Sequence, residues 1–535
     1  METSLTCITG RTHILPVDAD HLLDLTQVPD FVEAQGDAYS NRLFLKGKQN
    51  GRGIIKGRTA RGPFKIHISV FGEREAFLIT ALSCNMHKGW DPSLHDRLPH
   101  RECCGPDRSG NAFIHVTRME RILHNAGLPV TWFLDPPSAL EQLEYFKGGM
   151  ERHGDEIAFM PSSYSHFNPV NFNTENTLEE TRELIQKGAR ELEGLFGAPV
   201  KTLAVDQFIG SLGSHFVHAA AGLGFEALWG MGFDHFTCDT SMYHGGCPWN
   251  PYRPDNSDYR IPGRNPLPPW IFQWTFRDLI NTVRTPGGAS GAVMFSTDVD
   301  DILCTGIAAN QSDYYHRLAR EFLKNREHND FLVMTIHQED HDSWTEDGCA
   351  YYERFFKSLP EGFTPATMGE VARWLNVKHP YPSGAVQSLR LEDPLTCKDQ
   401  VFFPHPDVRK PADWPSGGAL YPPHIFHYDR DMQLIFEEGS PIPLRFIDYR
   451  KCHPVPETGS YPQESLPAVT DISIRSDGDI LQYEFNSGGA FEGYPLGLWG
   501  AWSGPEESLV LPWGFVIFID VVPGWNKGWV RTSKR

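Results

Sequence analysis

The chain has 535 residues, which exceeds the size of an ordinary single domain and predicts roughly two to four domains. Its residues are 40% hydrophobic and 22% charged, a globular composition that excludes a largely disordered chain. The formal net charge of −20 argues against nucleic acid or an anionic membrane as the main partner, because phosphate-rich surfaces bind basic faces.

The N-terminal sequence METSLTCITGRTHILPVDADHL contains acidic residues and lacks the apolar run of a signal peptide. No later stretch approaches the roughly 18 consecutive apolar residues of a membrane-spanning helix. We therefore expect a soluble, cytoplasmic protein. The 10 Cys residues include no C-x-x-C pair, so neither a zinc knuckle nor a redox motif is predicted, and free thiols are expected.

Residues 1–70 are predicted to form a small N-terminal segment that packs on the domain after it, residues 71–378. In that domain, short apolar runs alternate with segments of helical periodicity. Near-continuous hydrophobicity is typical of parallel strands that are buried on both faces. The predicted strands are residues 76–84, 130–134, 156–160, 200–205, 226–230, 291–296 and 330–336.

Helices are predicted between most of these strands. Thr177 and Glu180 have the spacing of a capping box, which marks a helix start, and Gly127, Gly197 and Gly224 stand where helices end. Alternation of strands and helices implies right-handed crossovers. The sequence therefore predicts an α/β fold with a seven-stranded (β/α) barrel, and a doubly wound open sheet is the alternative. The predicted helices are residues 117–126, 138–152, 177–196, 214–223, 312–328 and 367–375.

The composition changes after residue 378. Pro and Gly become frequent, and alternating runs such as residues 471–485 predict antiparallel strands. We expect residues 379–535 to form a β-rich, sandwich-like C-terminal domain that serves packing or substrate binding.

Polar residues follow most of the predicted barrel strands. In parallel barrels the reactive groups lie beyond the C-terminal strand ends, where loops vary without disturbing the core. Imidazoles and carboxylates that converge there can bind a divalent metal or supply an acid/base pair, although a merely polar rim is the alternative. These residues are Asn85, His87, Trp90, Asp91, Tyr164, Ser165, His166, Asp206, Gln207, Asp234, His235, Asp298, Asp300, Asp301, His337, Glu339, Asp340 and His341.

Residues 233–274 are rich in Pro and aromatic residues and have no clear helix. A long segment of this kind within a compact domain is often a functional lid. Trp249, Tyr252, Trp270 and Trp274 are candidates for sugar-stacking platforms, or for anchors that fix the segment to the barrel.

Several motifs resemble those of the polysaccharide deacetylases: VTWFLD at 130–135, HGDEIA at 153–158, YSH at 164–166, and His337 within VMTIH. The resemblance covers roughly residues 76–378 and implies a barrel hydrolase. Three motifs depart from that family. The first strand ends in Ser83-Cys84-Asn85 instead of Thr-Phe-Asp-Asp, Phe159 or Met160 stands near the place of a His, and Ala204-Val205-Asp206 replaces an Arg-Pro-Pro segment.

The chain is also similar to glycosidases of the same glycoside hydrolase/deacetylase superfamily, the family 38 α-mannosidases and the family 57 enzymes. Their catalytic carboxylate at the end of the fourth strand corresponds to Asp206. The mannosidase resemblance implies His87, Asp206 and His337 as ligands of a divalent metal such as zinc. Whether a metal is bound stays open, and no organic cofactor is expected.

These residues predict a carbohydrate-active hydrolase that cleaves a glycosidic bond. Such cleavage needs two carboxyl groups, and both a retaining and an inverting mechanism stay open. In the retaining version Asp206 is the nucleophile and Glu339 the acid, with Asp340 or Asp298 raising the pKa of the acid. A metal-dependent deacetylase-like amide or ester hydrolase and a non-catalytic carbohydrate-binding protein are the alternatives. The predicted substrate-binding residues are Asn85, Trp90, His166, Gln207, Trp249 and Tyr252.

Overall fold

The computed structural model describes the chain in segments, and all structural statements below concern these residues. They are residues 2–16, 22–37, 41–84, 113–161, 177–204, 213–229, 251–254, 256, 265–272, 276, 314–324, 326, 329–338, 346–382, 432–437, 444–447, 469–499, 502–505, 508–511 and 514–534.

The N-terminal part consists of two small β-sheets. Their strands are β1 (Glu2–Ile8), β2 (Thr12–Pro16), β3 (Leu22–Gln27), β4 (Val32–Asp37), β5 (Arg42–Gly47), β6 (Gly51–Thr59) and β7 (Gly62–Phe71). One sheet has the strand order β1-β7-β6-β3 and the other β2-β5-β4. Burial alternates along β6 and β7, so one face of each strand enters a shared apolar core that includes Leu43, Ile55 and Ile68.

The central part alternates strands with helices. Its strands are β8 (Glu75–Cys84), β9 (Val130–Leu134), β10 (Glu156–Phe159), β11 (Thr202–Ala204), β12 (Ala227–Trp229), β13 (Trp270–Phe272), β14 (Phe331–Gln338) and β15 (Thr364–Pro365). Its helices are α1 (Phe113–Asn125), α2 (Pro136–Glu141), α3 (Leu143–His153), α4 (Leu178–Phe196), α5 (Gly213–Leu223), α6 (Tyr314–Lys324), α7 (Glu346–Lys357) and α8 (Met368–Lys378). The capping box at Thr177 and Glu180 is confirmed at the start of α4.

The central strands form one parallel sheet with the order β13-β12-β11-β10-β9-β8-β14, and β15 pairs with β8. The sheet is nearly closed, because the backbone N–H of Phe276, just beyond β13, donates to the carbonyl of Thr335 in β14 at 2.8 Å. The predicted seven-stranded (β/α) barrel is therefore confirmed.

One strand of the barrel differs from the prediction. Six predicted strands coincide with β8 to β12 and β14, and the predicted strand at residues 291–296 lies outside the described residues. The structure adds β13, which falls inside the segment that was predicted as a lid. Three residues among prolines are too short for a recognisable apolar run, and only pairing with β12 makes them a strand.

Two apolar cores lie on the two faces of this sheet. Alternate strand residues such as Phe77, Phe133 and Trp229 point into the barrel, and their neighbours pack against the surrounding helices. Helix α8 closes the N-terminal end of the barrel: Met368 N–H donates to Thr131 Oγ1 at 2.9 Å, and Trp374 packs on Phe77.

The C-terminal part is made of strands. It contains the sheets β17-β16-β20-β23-β22, β18-β19-β24 and β21-β25. The predicted antiparallel pairing within residues 471–485 is confirmed by β18 and β19, whereas the sandwich packing and the domain boundaries stay predictions. The strands are β16 (Met432–Glu437), β17 (Leu444–Ile447), β18 (Val469–Asp477), β19 (Ile480–Ser487), β20 (Phe491–Trp499), β21 (Trp502–Ser503), β22 (Leu509–Leu511), β23 (Gly514–Val521), β24 (Gly524–Arg531) and β25 (Ser533–Lys534).

None of the helices in the described segments has both the length and the apolar character needed to cross a membrane.

Candidate functional site

The described part of the barrel mouth is a layer of rings at the C-terminal ends of the strands. The His337 imidazole lies 4.9 Å from the Trp229 ring, and the Trp229 indole stacks on Phe133 at 4.1 Å. All three side chains are fully buried. Trp229 thus reaches across the barrel interior, and the three rings form the inner floor of the mouth.

The sequence places His337 in this layer through the two-residue period of a strand. Phe331 and Val333 of β14 belong to the core inside the barrel, whereas Leu332 and Met334 belong to the core under the helices. Side chains two residues apart share a face, so Thr335 and His337 continue the inward row of β14. His337 is the residue of that row nearest the C-terminal end of the strand.

Three predicted site residues fall among the described residues: His337, Tyr252 and Trp270. Trp270 is fully buried in the core inside the barrel, and its Nε1 donates to Asn376 Oδ1 at 2.8 Å, so it anchors its segment and offers no face for sugar stacking. His337 lies at the mouth, as described above. Tyr252 is fully buried, packs in the core under the helices, and exchanges backbone hydrogen bonds of 3.3 and 2.8 Å with Ile271 of β13. Sugar stacking on Tyr252 would require its ring to be uncovered. The predicted residues outside the described segments are Asn85, His87, Trp90, Asp91, Tyr164, Ser165, His166, Asp206, Gln207, Asp234, His235, Trp249, Trp274, Asp298, Asp300, Asp301, Glu339, Asp340 and His341.

Asp135, the last residue of the VTWFLD motif, follows β9 at the same end of the barrel. It is buried, and its Oδ1 accepts from the backbone N–H of Ser138 at 2.6 Å, which caps α2. The sequence Asp-Pro-Pro-Ser is a recognisable helix start, with Pro in the first turn. This strand-end carboxylate therefore serves the fold.

A second group of titratable side chains lies outside the barrel, near the N-terminal ends of β9 and β10. Asp155 directly precedes β10, and its carboxylate accepts from Val130 N–H at 3.0 Å and from Trp132 Nε1 at 2.9 Å. The His124 ring contacts Asp155 through Nε2 at 2.9 Å and Glu120 through Nδ1 at 2.6 Å. Each ring nitrogen of His124 therefore faces a carboxylate.

Two further rings complete this cluster. Tyr145 donates to Glu120 at 2.7 Å, and the His153 ring stacks on His124 with centroids 3.7 Å apart. Gly154 ends α3 with φ 76°, a left-handed conformation that turns the chain into β10. We call Glu120, His124, His153 and Asp155 the outer histidine cluster.

The electrostatics of the outer histidine cluster favour an ionised imidazole. Burial lowers the pKa of His124, but its hydrogen bonds to Asp155 and Glu120 outweigh burial and raise the pKa from 6.5 to about 9. Burial raises the pKa of Glu120, yet hydrogen bonds from His124 and Tyr145 bring it below its ordinary value. His124 and its two carboxylate partners thus form a partly buried ion network at neutral pH.

Ligand atoms of Glu120, His124 and His153 lie within 4.8 Å of one another, a spacing that can hold a metal ion. A metal ligand must present a deprotonated imidazole nitrogen. Because both His124 nitrogens are used by carboxylates and the raised pKa favours the protonated ring, these residues fit a proton better than a metal. The HGDEIA motif contains His153 and Asp155, but no local pattern in the sequence marks Glu120 or His124 as their partners.

Other buried acids at the N-terminal end of the barrel are held by the fold. Glu156 accepts from Thr202 at 2.5 Å and from Gly369 N–H at 2.7 Å, and burial raises its pKa against the charge of Arg373. Glu370 pairs through both oxygens with Arg52, at 2.7 and 2.9 Å, which ties β6 to helix α8.

No family model matches the chain, and no curated protein matches it either. Among solved structures, a Puue allantoinase has 14% identity, covers 58% of this chain and 93% of its own, and has a TM-score of 0.39. A probable polysaccharide deacetylase from Pseudomonas aeruginosa PAO1 has 14% identity, the same coverages of 58% and 93%, and a TM-score of 0.38.

The α-amylase AmyC from Thermotoga maritima has 11% identity, covers 56% of this chain and 74% of its own, and has a TM-score of 0.32. The fold assignment rests on the strand order and register described above.

Proposed function

We propose that the chain is a carbohydrate-directed hydrolase that cleaves a glycosidic bond at the C-terminal mouth of the barrel. The observation that carries the proposal is the position of His337, which is buried, points inward and lies at the C-terminal end of β14 among aromatic rings. An imidazole there lies where barrel enzymes hold their reactive groups.

Chain connectivity supports a shared site around His337. Neighbouring Cα atoms are about 3.8 Å apart, so a residue directly after a strand starts from the end of that strand. Asn85 follows β8, Glu339 follows β14, and Asp206 is two residues beyond β11. Because these strands are parallel members of one barrel, their C-terminal ends open to the same side.

The proposed chemistry uses the two carboxyl groups of Asp206 and Glu339. Asp206 attacks the anomeric carbon while the glycosidic C–O bond breaks, and Glu339 gives its proton to the leaving oxygen. The Glu339 carboxylate then takes a proton from water, whose oxygen attacks the anomeric carbon and releases Asp206. Asp298 or Asp340 raises the pKa of Glu339 by like-charge repulsion, which keeps the proton available.

The same mouth supplies the other proposed roles. Asn85, His166 and Gln207 bind sugar hydroxyls, and the indoles of Trp90 and Trp249 stack on sugar rings. If a divalent metal such as zinc is held, its ligands are His87, Asp206 and His337, and it would orient substrate hydroxyls.

The deciding experiment is the Asp206→Asn variant, assayed on a panel of oligosaccharides and acetylated glycans for both reducing ends and acetate. We expect loss of reducing-end release by about a thousandfold with an unchanged unfolding transition. Asp30→Asn, at an exposed position of the N-terminal sheets, is the matched control and should keep full activity.

The alternatives give different results in this assay. Acetate release that a chelator abolishes would assign a metal-dependent deacetylase-like hydrolase instead. Glycan binding without turnover, unchanged by Asp206→Asn, would assign a non-catalytic binding protein. Either result would overturn the glycosidase proposal.

A further inference from the structure

Two large aromatic side chains of the C-terminal part are exposed to solvent on one strand. Trp525 is 54% exposed and Trp529 is 66% exposed, and both belong to β24. Their neighbours Asn526 and Val530 are buried. Since side chains alternate along a strand, the two indoles share the outer face, and the inner face packs on the protein. Two large exposed aromatic rings on one face of a sheet make that face a candidate binding surface.

The strand register places an amide beside each indole. In the antiparallel pairing of β19 and β24, Trp525 lies opposite Asn486 and Trp529 lies opposite Gln482. Directly paired residues of neighbouring strands point to the same face. Each site therefore combines an aromatic face, which stacks on the C–H groups of a sugar, with an amide that can donate to and accept from hydroxyls.

The spacing of the two indoles fits a chain of sugars. Residues four apart on a strand are separated by about 13–14 Å, since each residue rises 3.3–3.4 Å. This separation exceeds the width of a single hexopyranose ring. A polysaccharide can contact both indoles with different sugar units, whereas a monosaccharide can contact one.

The charges of this face are nearly balanced. Its cations are Lys527, Arg475 and Arg531, its carboxylates are Glu484, Asp477 and Asp479, and Asp471 in the bulge of β18 is a further exposed acid. Lys527 pairs with Glu484 at 3.0 Å, and Arg531 pairs with Asp479 at 3.4 Å. A nearly balanced face has little net field to attract a polyanion, so an uncharged ligand is favoured.

The ion pair between the indoles also argues against an apolar partner. Lys527 and Glu484 lie between Trp525 and Trp529 on the same face. A hydrophobic protein surface or a second copy of this chain would have to desolvate that pair, which costs free energy. A hydroxyl-rich ligand instead leaves it hydrogen-bonded.

From this geometry we infer that Trp525 and Trp529, with Asn486 and Gln482, form a binding platform for a neutral polysaccharide. The platform uses none of the residues proposed for the barrel mouth, and its occupation does not depend on the chemistry proposed there. It would hold the protein on an extended glycan.

The test is retention of the full-length chain on insoluble cellulose, chitin and mannan, measured as depletion isotherms. We expect retention on at least one of them that is little changed by high NaCl. Trp525→Ala and Trp529→Ala should each raise the half-saturating concentration about tenfold, and the double variant should lose retention. Leu140→Ala, another exposed apolar residue, should bind like the unsubstituted chain.

Two further measurements keep the result decisive. Far-UV circular dichroism shows whether the variants fold. Quenching of indole fluorescence by soluble oligosaccharides of the retained glycan tests glycan binding by the unsubstituted chain directly. Asp206→Asn should keep retention, so loss of turnover and loss of binding are distinguishable. Absence of retention on all three glycans, equal retention of the double variant, or a dimer that the double variant converts to monomer would overturn the inference.

Discussion

The two ends of the barrel hold buried polar groups in different ways. At the N-terminal end, Glu156 and Glu370 accept hydrogen bonds from side chains and from the start of α8, and Asp155 accepts from a strand, an indole and an imidazole. At the C-terminal end, His337 lies among the rings of Trp229 and Phe133. The acids of the first end are held by hydrogen bonds within the fold, whereas the second end places an imidazole where barrels bind ligands.

The largest expected effect at the N-terminal end comes from Asp155→Asn. It removes the carboxylate that accepts from Val130, Trp132 and His124, and it leaves the His124 charge with Glu120 alone. Removing one partner of a buried ion pair costs about 3–5 kcal/mol of unfolding free energy. Denaturant titration measures this cost.

The matched control is Glu484→Gln, which breaks the exposed pair with Lys527 and should change the stability by about 0.5 kcal/mol or less. Equal small effects for Asp155→Asn and Glu484→Gln would remove the contrast between the two kinds of ion pair.

A smaller change in the unfolding free energy is expected when pH is raised, because His124 loses its proton. The pKa of His124 in the folded chain, about 9, lies above its ordinary value of 6.5. The stabilisation that the protonated His124 ring gives the folded chain is therefore complete below about pH 6.5 and is lost as pH rises through 9. We expect a loss of about 2 kcal/mol, less than the full shift implies because the cluster is partly solvated.

Unfolding midpoints measured across this pH range test the effect. The His124→Gln variant should be less stable than the unsubstituted chain at pH 6. Its unfolding midpoint should no longer fall as pH rises from 6.5 to 9. A slope that persists in His124→Gln would assign the pH dependence to another group.

The smallest effect on stability is expected at the mouth. His337→Gln replaces the imidazole with an uncharged polar group of similar size, so the unfolding free energy should fall by about 1.5 kcal/mol or less. Hydrolytic activity should fall by about a hundredfold or more, since the ring faces the proposed site. A variant that loses several kcal/mol, or that keeps full activity, would make His337 a core residue like those at the other end.

Much of the barrel could be predicted from the sequence because its strands are buried on both faces. Runs such as VTWFL at β9 and FLVMTI in β14 are apolar except for one Thr each, and that pattern is visible without knowledge of the neighbouring strands. The capping box at Thr177 and the glycine after α4 are likewise local signals, and both stand where the structure has helix ends.

Other features depended on residues far apart in the chain. Strand β13 has only three residues, and its identity comes from pairing with β12, some forty residues earlier. The outer histidine cluster joins α1, α3 and the start of β10, and no local pattern marks Glu120 or His124 as its members. The indole platform needs the register of β19 and β24 to bring each amide beside its ring.

The sequence by itself determined the alternation of strands and helices, six of the barrel strands and the candidate residues that follow them, because hydrophobic periodicity and helix caps are local. The near-closure of the sheet into a barrel and strand β13 needed the tertiary structure. Tertiary structure alone decided which polar groups are paired. It enclosed Asp155 and His124 together, covered the Tyr252 ring and left Trp525 and Trp529 open. Burial and ion pairing are set by what packs on a residue from elsewhere in the chain, and that information is absent from its sequence neighbours.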